Sequence, residues 1–306
     1  MLQISKQAVH QHSQREKVFN DKLSSLLTEV DVLRNEHPGC GVEKMYYTLC
    51  PDWIGRDKFI ETMMSLGYGI KPIKSFIRTT IPACYKYPNL IEGMLLWDKN
   101  QLWQSDITYI LVGDRYYYLV FIVDVYTKII LGYQASDHLR AEANRAALRM
   151  AMRKCNGSIH GLIHHSDRGS QYVDTAYTQT LLRHKAYISM GLKAQDNAYA
   201  ERVNGIIKDE YLKYREMASL ADLKKEVKKA VNHYNEKRIH GSLPGRKTPM
   251  QFEKNLVNLP SQKKPKVIIY AEGNPRIKEA LSHLDSLPEN NLKAPICPMV
   301  FIKKNE

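Results

Sequence analysis

Between Ser13 and Asn35 the chain is mostly polar, yet Val18, Leu23, Leu26, Leu27, Val30 and Leu33 recur at the spacing of one helical face. The pattern then restarts. Val42, Met45, Tyr46 and Leu49 fall at i, i+3, i+4 and i+7, a second helix. Asp57 is placed to cap a third, which carries Phe59, Ile60, Met63 and Met64 and stops at Gly67. Pro72 suits the first turn of a fourth, with Ile73, Phe76 and Ile77 facing inward and Lys71, Lys74 and Arg78 on the opposite face. Three short helices ending in a basic one suggest a helix-turn-helix module, in which Lys71, Lys74 and Arg78 would be DNA-binding. A small bundle with a solvated charged face has the same pattern.

Pro82 to Gly93 has prolines and tyrosines but no period, and reads as a linker. Beyond it the pattern turns strand-like. Leu102 to Val112 and Tyr116 to Val123 are apolar, β-branched and aromatic, separated by the hairpin signal Gly113-Asp114-Arg115. Lys128 to Ser136 makes a third strand and Ala141 to Cys155 an alanine-rich helix. A strand over Ile159 to His165, a helix over Thr175 to His184, a strand over Ala186 to Met190 and a helix from Asn197 to Tyr214 follow. A meander followed by strand–helix units predicts an α/β domain, a mixed sheet flanked by helices, in the order of the ribonuclease H-like fold. Leu220 to Tyr234 is a further helix studded with Lys224, Lys225, Lys228 and Lys229. The last forty residues, with Pro275, Pro288, Pro295 and Pro298, look loosely structured. The expected divisions are a helical segment (1–35), a helix-turn-helix-like DNA-binding domain (36–82), a linker (83–96), a catalytic domain (97–255) and a tail (256–306).

Charge sharpens this picture. The 306 residues hold 45 Lys and Arg against 32 Asp and Glu, a net charge of +13 that points to a polyanionic partner, most often nucleic acid. With 43% hydrophobic and 25% charged residues the composition is that of a soluble globular protein. The longest apolar run, Tyr116 to Val123, is far short of a membrane span, and no signal peptide is visible. The five cysteines are scattered, without a C-x-x-C, so neither a disulfide framework nor a cysteine zinc site is expected, and the location expected is cytoplasmic. His10, His12, Cys40 and Cys50 have the wrong spacing for zinc.

Three acids stand out chemically. Asp106 is a charge inside the first apolar strand, Asp167 ends the strand from Ile159, and Glu201 lies one turn into the helix opening at Asp196-Asn197. A carboxylate within a buried strand is costly unless it meets a cation or is well hydrogen-bonded. Three converging at strand ends and a helix start would make a hard oxygen site for Mg²⁺ or Mn²⁺. Two such ions ~3.5–4 Å apart are the usual apparatus for in-line displacement at phosphodiesters. Asp124 reads as a turn residue. His164-His165-Ser166-Asp167 offers Ser, His and Asp, but adjacent strand residues face opposite ways and cannot form a triad. One of its histidines is expected near the metals and the other in the core. Asp196-Asn197 suits a helix cap, leaving Glu201 free to bind an ion. Lys208 shares a helical face with Glu201, with Asn204 between them, and either grips DNA or is merely solvated.

With these residues in view, the chain resembles the OrfB-type transposases of bacterial insertion sequences, in the third insertion-sequence family, relatives of retroviral integrases. The matching pieces are Trp103-x-x-Asp106-Ile107-Thr108-Tyr109, His165-Ser166-Asp167-Arg168-Gly169-Ser170-Gln171-Tyr172 and Asp196-Asn197-Ala198-x-Ala200-Glu201. Tyr234-Asn235-x-x-Arg238-x-His240-x-x-Leu243 followed by Thr248-Pro249 is another, and Gly41-Val42-x-x-Met45-Tyr46 looks like the family's helix-turn-helix. The resemblance implies an integrase-like catalytic core in which Asp106, Asp167 and Glu201 hold Mg²⁺, with Mn²⁺ substituting and no zinc. It implies cleavage of an element's ends and joining of 3′-hydroxyls to double-stranded DNA, carried out by a homo-oligomer away from any membrane. Asn204, Lys208 and Arg238 join Lys71, Lys74 and Arg78 as the expected DNA contacts. The spacing from Asp167 to Glu201 is two residues shorter than the family's usual one, a difference that falls between Met190 and Asp196. Ile4 to Val9 reads like the last helix of another helix-turn-helix, so a partner protein or fused upstream portion is expected.

Overall fold

The computed structural model describes residues 6–70, 87–191 and 194–269. They fall into two compact units, Met1–Phe76 with Asp209–Tyr214, and Ile77–Lys208 with Arg215–Glu306.

The first unit is helical. α1 (Lys6–Glu36), α2 (Val42–Leu49) and α3 (Arg56–Ser65) bury Leu26, Val30, Leu33, Met45, Phe59 and Met63 together. The expected helix periods therefore hold, except that Val18 and Met64 turn out to the surface. Arg34 fastens the turns, its guanidinium donating to the Pro38 carbonyl at 2.8 Å and the Tyr68 carbonyl at 2.6 Å. Asp209–Tyr214 is built into this unit. The Glu210 carboxylate meets His37 Nε2 at 2.6 Å and accepts from Lys44 Nζ at 3.0 Å, while Tyr211 stacks on the His37 ring. Gly39 has no room for a side chain, since a Cβ there would lie 2.3 Å from Glu210 Cα. The basic helix expected from Pro72, with Lys71, Lys74 and Arg78, lies outside the described residues.

In the second unit β1 (Leu95–Leu96), β2 (Leu102–Val112), β3 (Arg115–Asp124) and β4 (Ile130–Ser136) precede α4 (Ala141–Lys154). Then come β5 (Ile163–Ser166), α5 (Thr175–Arg183), β6 (Tyr187–Met190), α6 (Ala198–Ile206), α7 (Leu220–Glu236), α8 (Pro249–Val257) and β7 (Val267–Ile268). Five strands form one sheet in the order β4-β3-β2-β5-β6. β2, β3 and β4 pair antiparallel, whereas β5 and β6 run parallel to β2, as a meander followed by helical crossovers requires. This is a ribonuclease H-like mixed sheet with helices on both faces. Trp103, Ile122, Leu148, Tyr172 and Tyr177 fill one face; Leu102, Ile163, Tyr126 and Phe252 fill the other. Gly132 of β4 lets α4 approach so closely that a Cβ would stand 2.1 Å from the Ala147 carbonyl oxygen.

Several boundaries differ from the sequence reading. Ile159 and Leu162 are buried, but Gly161, at φ +78°, breaks the extended run, so β5 begins only at Ile163. The helix expected from Asn197 to Tyr214 is interrupted. α6 ends at Ile206 and passes through a π-helical turn, Ile207–Tyr211, and a 3₁₀ turn, Leu212–Tyr214. The expected linker is part of the fold where it is described, with Ile91 fully buried and Leu90 N–H donating to Ser189 Oγ at 2.9 Å. The expected tail likewise starts folded, because Leu256 and Ile269 are buried and β7 pairs with β1. Asn235 stands in for a neighbouring strand at β4, its amide accepting from Ile130 N–H at 2.9 Å and donating to Ile130 O at 3.0 Å.

Candidate active site

The parallel pairing of β2 with β5 sets Ser105 opposite Ser166. The next residue on each side is one of the expected acids, Asp106 in mid-strand and Asp167 just past the end of β5. Glu201 comes from the first turn of α6, which packs against β2. The three carboxylates feel one another. Asp106 is pushed up to about 8, by burial first and then by the charges of Asp167 and Glu201. Burial also raises Asp167, opposed by the Gly169 N–H that donates to its Oδ1 at 3.0 Å. Burial and then the Asp167 charge raise Glu201. Among the described residues no three His, Cys, Asp or Glu side chains are already drawn together as a metal-ligand group. The donor set nonetheless suits a divalent cation: it is all oxygen, and its repulsion is of the kind that a nearby cation reverses.

Polar side chains from β2 and α6 hold this arrangement. Asn204 Nδ2 donates to Asp106 Oδ2 at 2.7 Å. Gln104, two residues before Asp106, caps α6 from outside, with Oε1 accepting from Tyr199 N at 3.1 Å and Ala200 N at 3.3 Å. Its Nε2 donates to the Asp196 carbonyl at 3.1 Å. Asn197 sits at the N-cap but makes no side-chain cap; its Nδ2 donates to Ser105 O at 2.9 Å. The expectation that Asp196-Asn197 caps the helix is thus corrected, because an amide from the neighbouring strand takes that role. Nothing in the quoted motif marked Gln104, which stands at one of its unspecified positions. Only its place on the same strand face as Asp106 could have suggested it.

The two histidines part to opposite faces, as their adjacency in a strand requires. His164 Nε2 lies 2.9 Å from Tyr177 Oη among core aromatics, and His165 Nδ1 lies 2.8 Å from Ser189 Oγ. Burial lowers them to about 3 and about 4, so both rings are neutral. Ser166 Oγ donates to the Asp167 carbonyl, and no Ser–His–Asp relay forms. Asp124 is the last residue of β3 rather than part of the turn, but its buried carboxylate ties that turn down, accepting from Asn100 N, Thr127 N and Thr127 Oγ1, each at 2.7 Å. Asp124→Ala would strand buried donors and is expected to cost on the order of 2 kcal/mol or more, seen as a lowered thermal midpoint.

Two of the expected DNA contacts are corrected by their burial. Asn204 is occupied with Asp106, and Arg238 is 5% exposed, donating to Ile239 O with its guanidinium 5.7 Å from the Tyr234 ring. A polar side chain in a motif does not reveal whether it faces solvent or the interior. Lys208 is half-buried, its ammonium 5.6 Å from the centre of the Tyr109 ring. Since the Asn204 amide favours the ionised form of Asp106, Asn204→Ala should raise that pKa further. Half-saturation by a divalent cation should then need more metal, most visibly at low pH, as read by titration at two pH values.

Family models of the integrase core domain match residues 98–195 and 184–249, the stretch that carries all three acids. The core is of the polynucleotidyl transferase type. The transposase of insertion sequence element IS629 from Shigella sonnei is 29% identical over 81% of this chain and 87% of its own length. The transposase described for element IS986/IS6110 of Mycobacterium tuberculosis H37Rv is 30% identical over 70% of this chain and 81% of its own. The catalytic core of HTLV-2 integrase is similar with a TM-score of 0.41 and 20% identity, over 54% of this chain and 99% of that one. The chain belongs to the insertion-sequence transposases that carry an integrase core domain. No helix among the described residues is long and apolar enough to cross a membrane.

Proposed function

We propose that this transposase cuts the ends of its insertion sequence and joins the freed 3′-hydroxyls to DNA at a site formed by Asp106, Asp167 and Glu201. The observation that carries the reading is the placement of three acids at one end of the sheet, from β2, the end of β5 and the first turn of α6, where burial first and then the other two charges oppose the ionisation of Asp106. The three would hold Mg²⁺, with Mn²⁺ as a substitute. Bound ions would activate water or a 3′-hydroxyl as nucleophile and offset charge on the departing 3′-oxygen. The chain's own contribution is placement. Asp106 projects from β2, Asp167 from the residue that follows the parallel strand β5, Glu201 from a helix capped by Gln104, and Asn204 orients Asp106. Rigid elements of this kind fix ligands better than loops do.

The partners proposed are double-stranded DNA, both element ends and target, and further copies of the chain on it. An upstream helix-turn-helix partner or fusion would recognise the ends, and Lys71, Lys74, Arg78 and Lys208 would add phosphate contacts. On this reading the helical unit binds DNA within 36–82, and the sheet unit is catalytic, extending past 97–255 to the buried Ile91 and Ile269. The test uses duplexes carrying the DNA that adjoins the coding sequence. Joined products with Mg²⁺ or Mn²⁺ are expected, and neither Ca²⁺ nor Zn²⁺ should support them. Cleavage without joining would make the protein a nuclease, and full activity after exhaustive chelation would remove the metal site.

A further inference from the structure

We propose that the groove between α4 and α5 binds the phosphodiester backbone of DNA, at a place separate from the three acids. Arg145, Arg149 and Arg153 recur every fourth residue along α4 and line a groove of about 530 Å³, with Thr180 of α5 and His184, just past its end, on the other wall. Four residues of helix advance ~6 Å, so the guanidinium groups form a row suited to a linear polyanion. Leu148 and Met152 make an apolar floor, which weakens solvent competition for the charges above it.

No carboxylate lines the groove. Arg145 is anchored at its head, 3.1 Å from Asp174 and 3.5 Å from Glu142. Arg149 and Arg153 are exposed, and their side chains make no hydrogen bond or ion pair with any described residue. Beyond the anchored Arg145, the Arg149 and Arg153 guanidinium groups stand side by side without an acidic partner, at a cost in mutual repulsion that an arriving phosphate chain removes. Their planar forks match phosphate oxygens in pairs. The same groove offers few groups arranged to read base edges, so the contact would be independent of sequence. Arg145 meets Asp174, the N-cap of α5, and His184 follows that helix's last residue, so the groove follows the length of α5.

The identity of the polyanion rests on the transposase reading; the site itself rests on the groove. The test is R149A/R153A in the full chain, without divalent metal, titrated by fluorescence anisotropy into an unrelated duplex and into one from the DNA adjoining the coding sequence. Each phosphate contact contributes ~0.9 to the log–log salt slope, so a drop of about 1–2 is expected, and R149K/R153K should keep most of the slope. Equal losses on both duplexes support a backbone contact of either source. A loss confined to the unrelated duplex assigns the groove to target DNA, and one confined to the adjoining DNA assigns it to the element end. Unchanged slopes overturn the proposal, and so does a variant that changes only its sedimentation, which would make the groove an interface between copies. Because binding is read without catalysis, failure here leaves the joining activity of the wild type as a separate result.

Discussion

Glu201→Gln is expected to give a folded protein that binds DNA and neither cuts nor joins it, with activity down by at least ~10³-fold. The amide is nearly isosteric, so α6 keeps its cap from Gln104, but the negative charge needed to hold a cation is lost. Asp196→Asn should retain measurable catalysis, because the Gln104 contact is to the Asp196 backbone carbonyl, which survives the change. An active Glu201→Gln beside a dead Asp196→Asn would mean that the third acid is misassigned. Asp106→Asn should be equally inactive and have a second signature. In the metal-free fold the Asp106 pKa is about 8, above its value in an unfolded chain. The favourable contribution is therefore fully present below the unfolded pKa and is lost as pH rises through the folded one. Metal-free wild type should lose stability between about pH 4 and pH 8 in a way that Asp106→Asn does not. At pH 8 the variant should melt a few °C higher, since ~1 kcal/mol moves a domain of this size by ~2–4 °C. Mg²⁺ should narrow that gap by stabilising wild type alone. Equal melting at every pH would show that the carboxylate is not strained.

Gly132→Ala should be the most damaging small substitution in the catalytic unit. The added Cβ would sit 2.1 Å from the Ala147 oxygen and 2.9 Å from the Ala147 carbonyl carbon, both backbone atoms that no rotamer change can clear. α4 would have to lift from β4, opening the core around Leu148 and Ile122. A cost of at least ~3 kcal/mol follows, or roughly 6–12 °C in the midpoint. Gly205→Ala, where a Cβ meets nothing within 4 Å, serves as the control and should be neutral or better. A Gly132→Ala protein as stable as wild type would mean that the helix and strand do not approach this closely.

The strong periodic signals were legible. Leu102 to Val112 and Tyr116 to Val123 become β2 and β3 almost residue for residue, since long β-branched and aromatic runs on either side of a glycine turn have few alternatives. Weak signals were not. The two-residue strands β1 and β7 are defined by partners about 170 residues apart and carry no local period. The ordered start of the tail was hidden for the same reason, as its burial depends on α8 and on Ile91. At the site, the acids declared themselves by sitting where a charge is costly. Gln104, Asn204 and Asn235 did not, because an amide is unremarkable in any sequence until its partners across the sheet are known. Arg238 looked like a DNA contact for the converse reason: a cation suggests solvent, and only the packing shows it enclosed.

The capping of α6 by Gln104 also bears on how such a chain can drift. The helix that carries Glu201 is registered to β2 by contacts at Asp196, Tyr199 and Ala200, at the downstream end of the connection from β6. Slack or shortage in that loop need not reach the acid. The two residues by which the spacing falls short of the one the resemblance implies are then expected to be absorbed upstream of the fastening point. Insertions in the same loop should be tolerated on the same footing, whereas a single shift in the three residues after Asp196 should not.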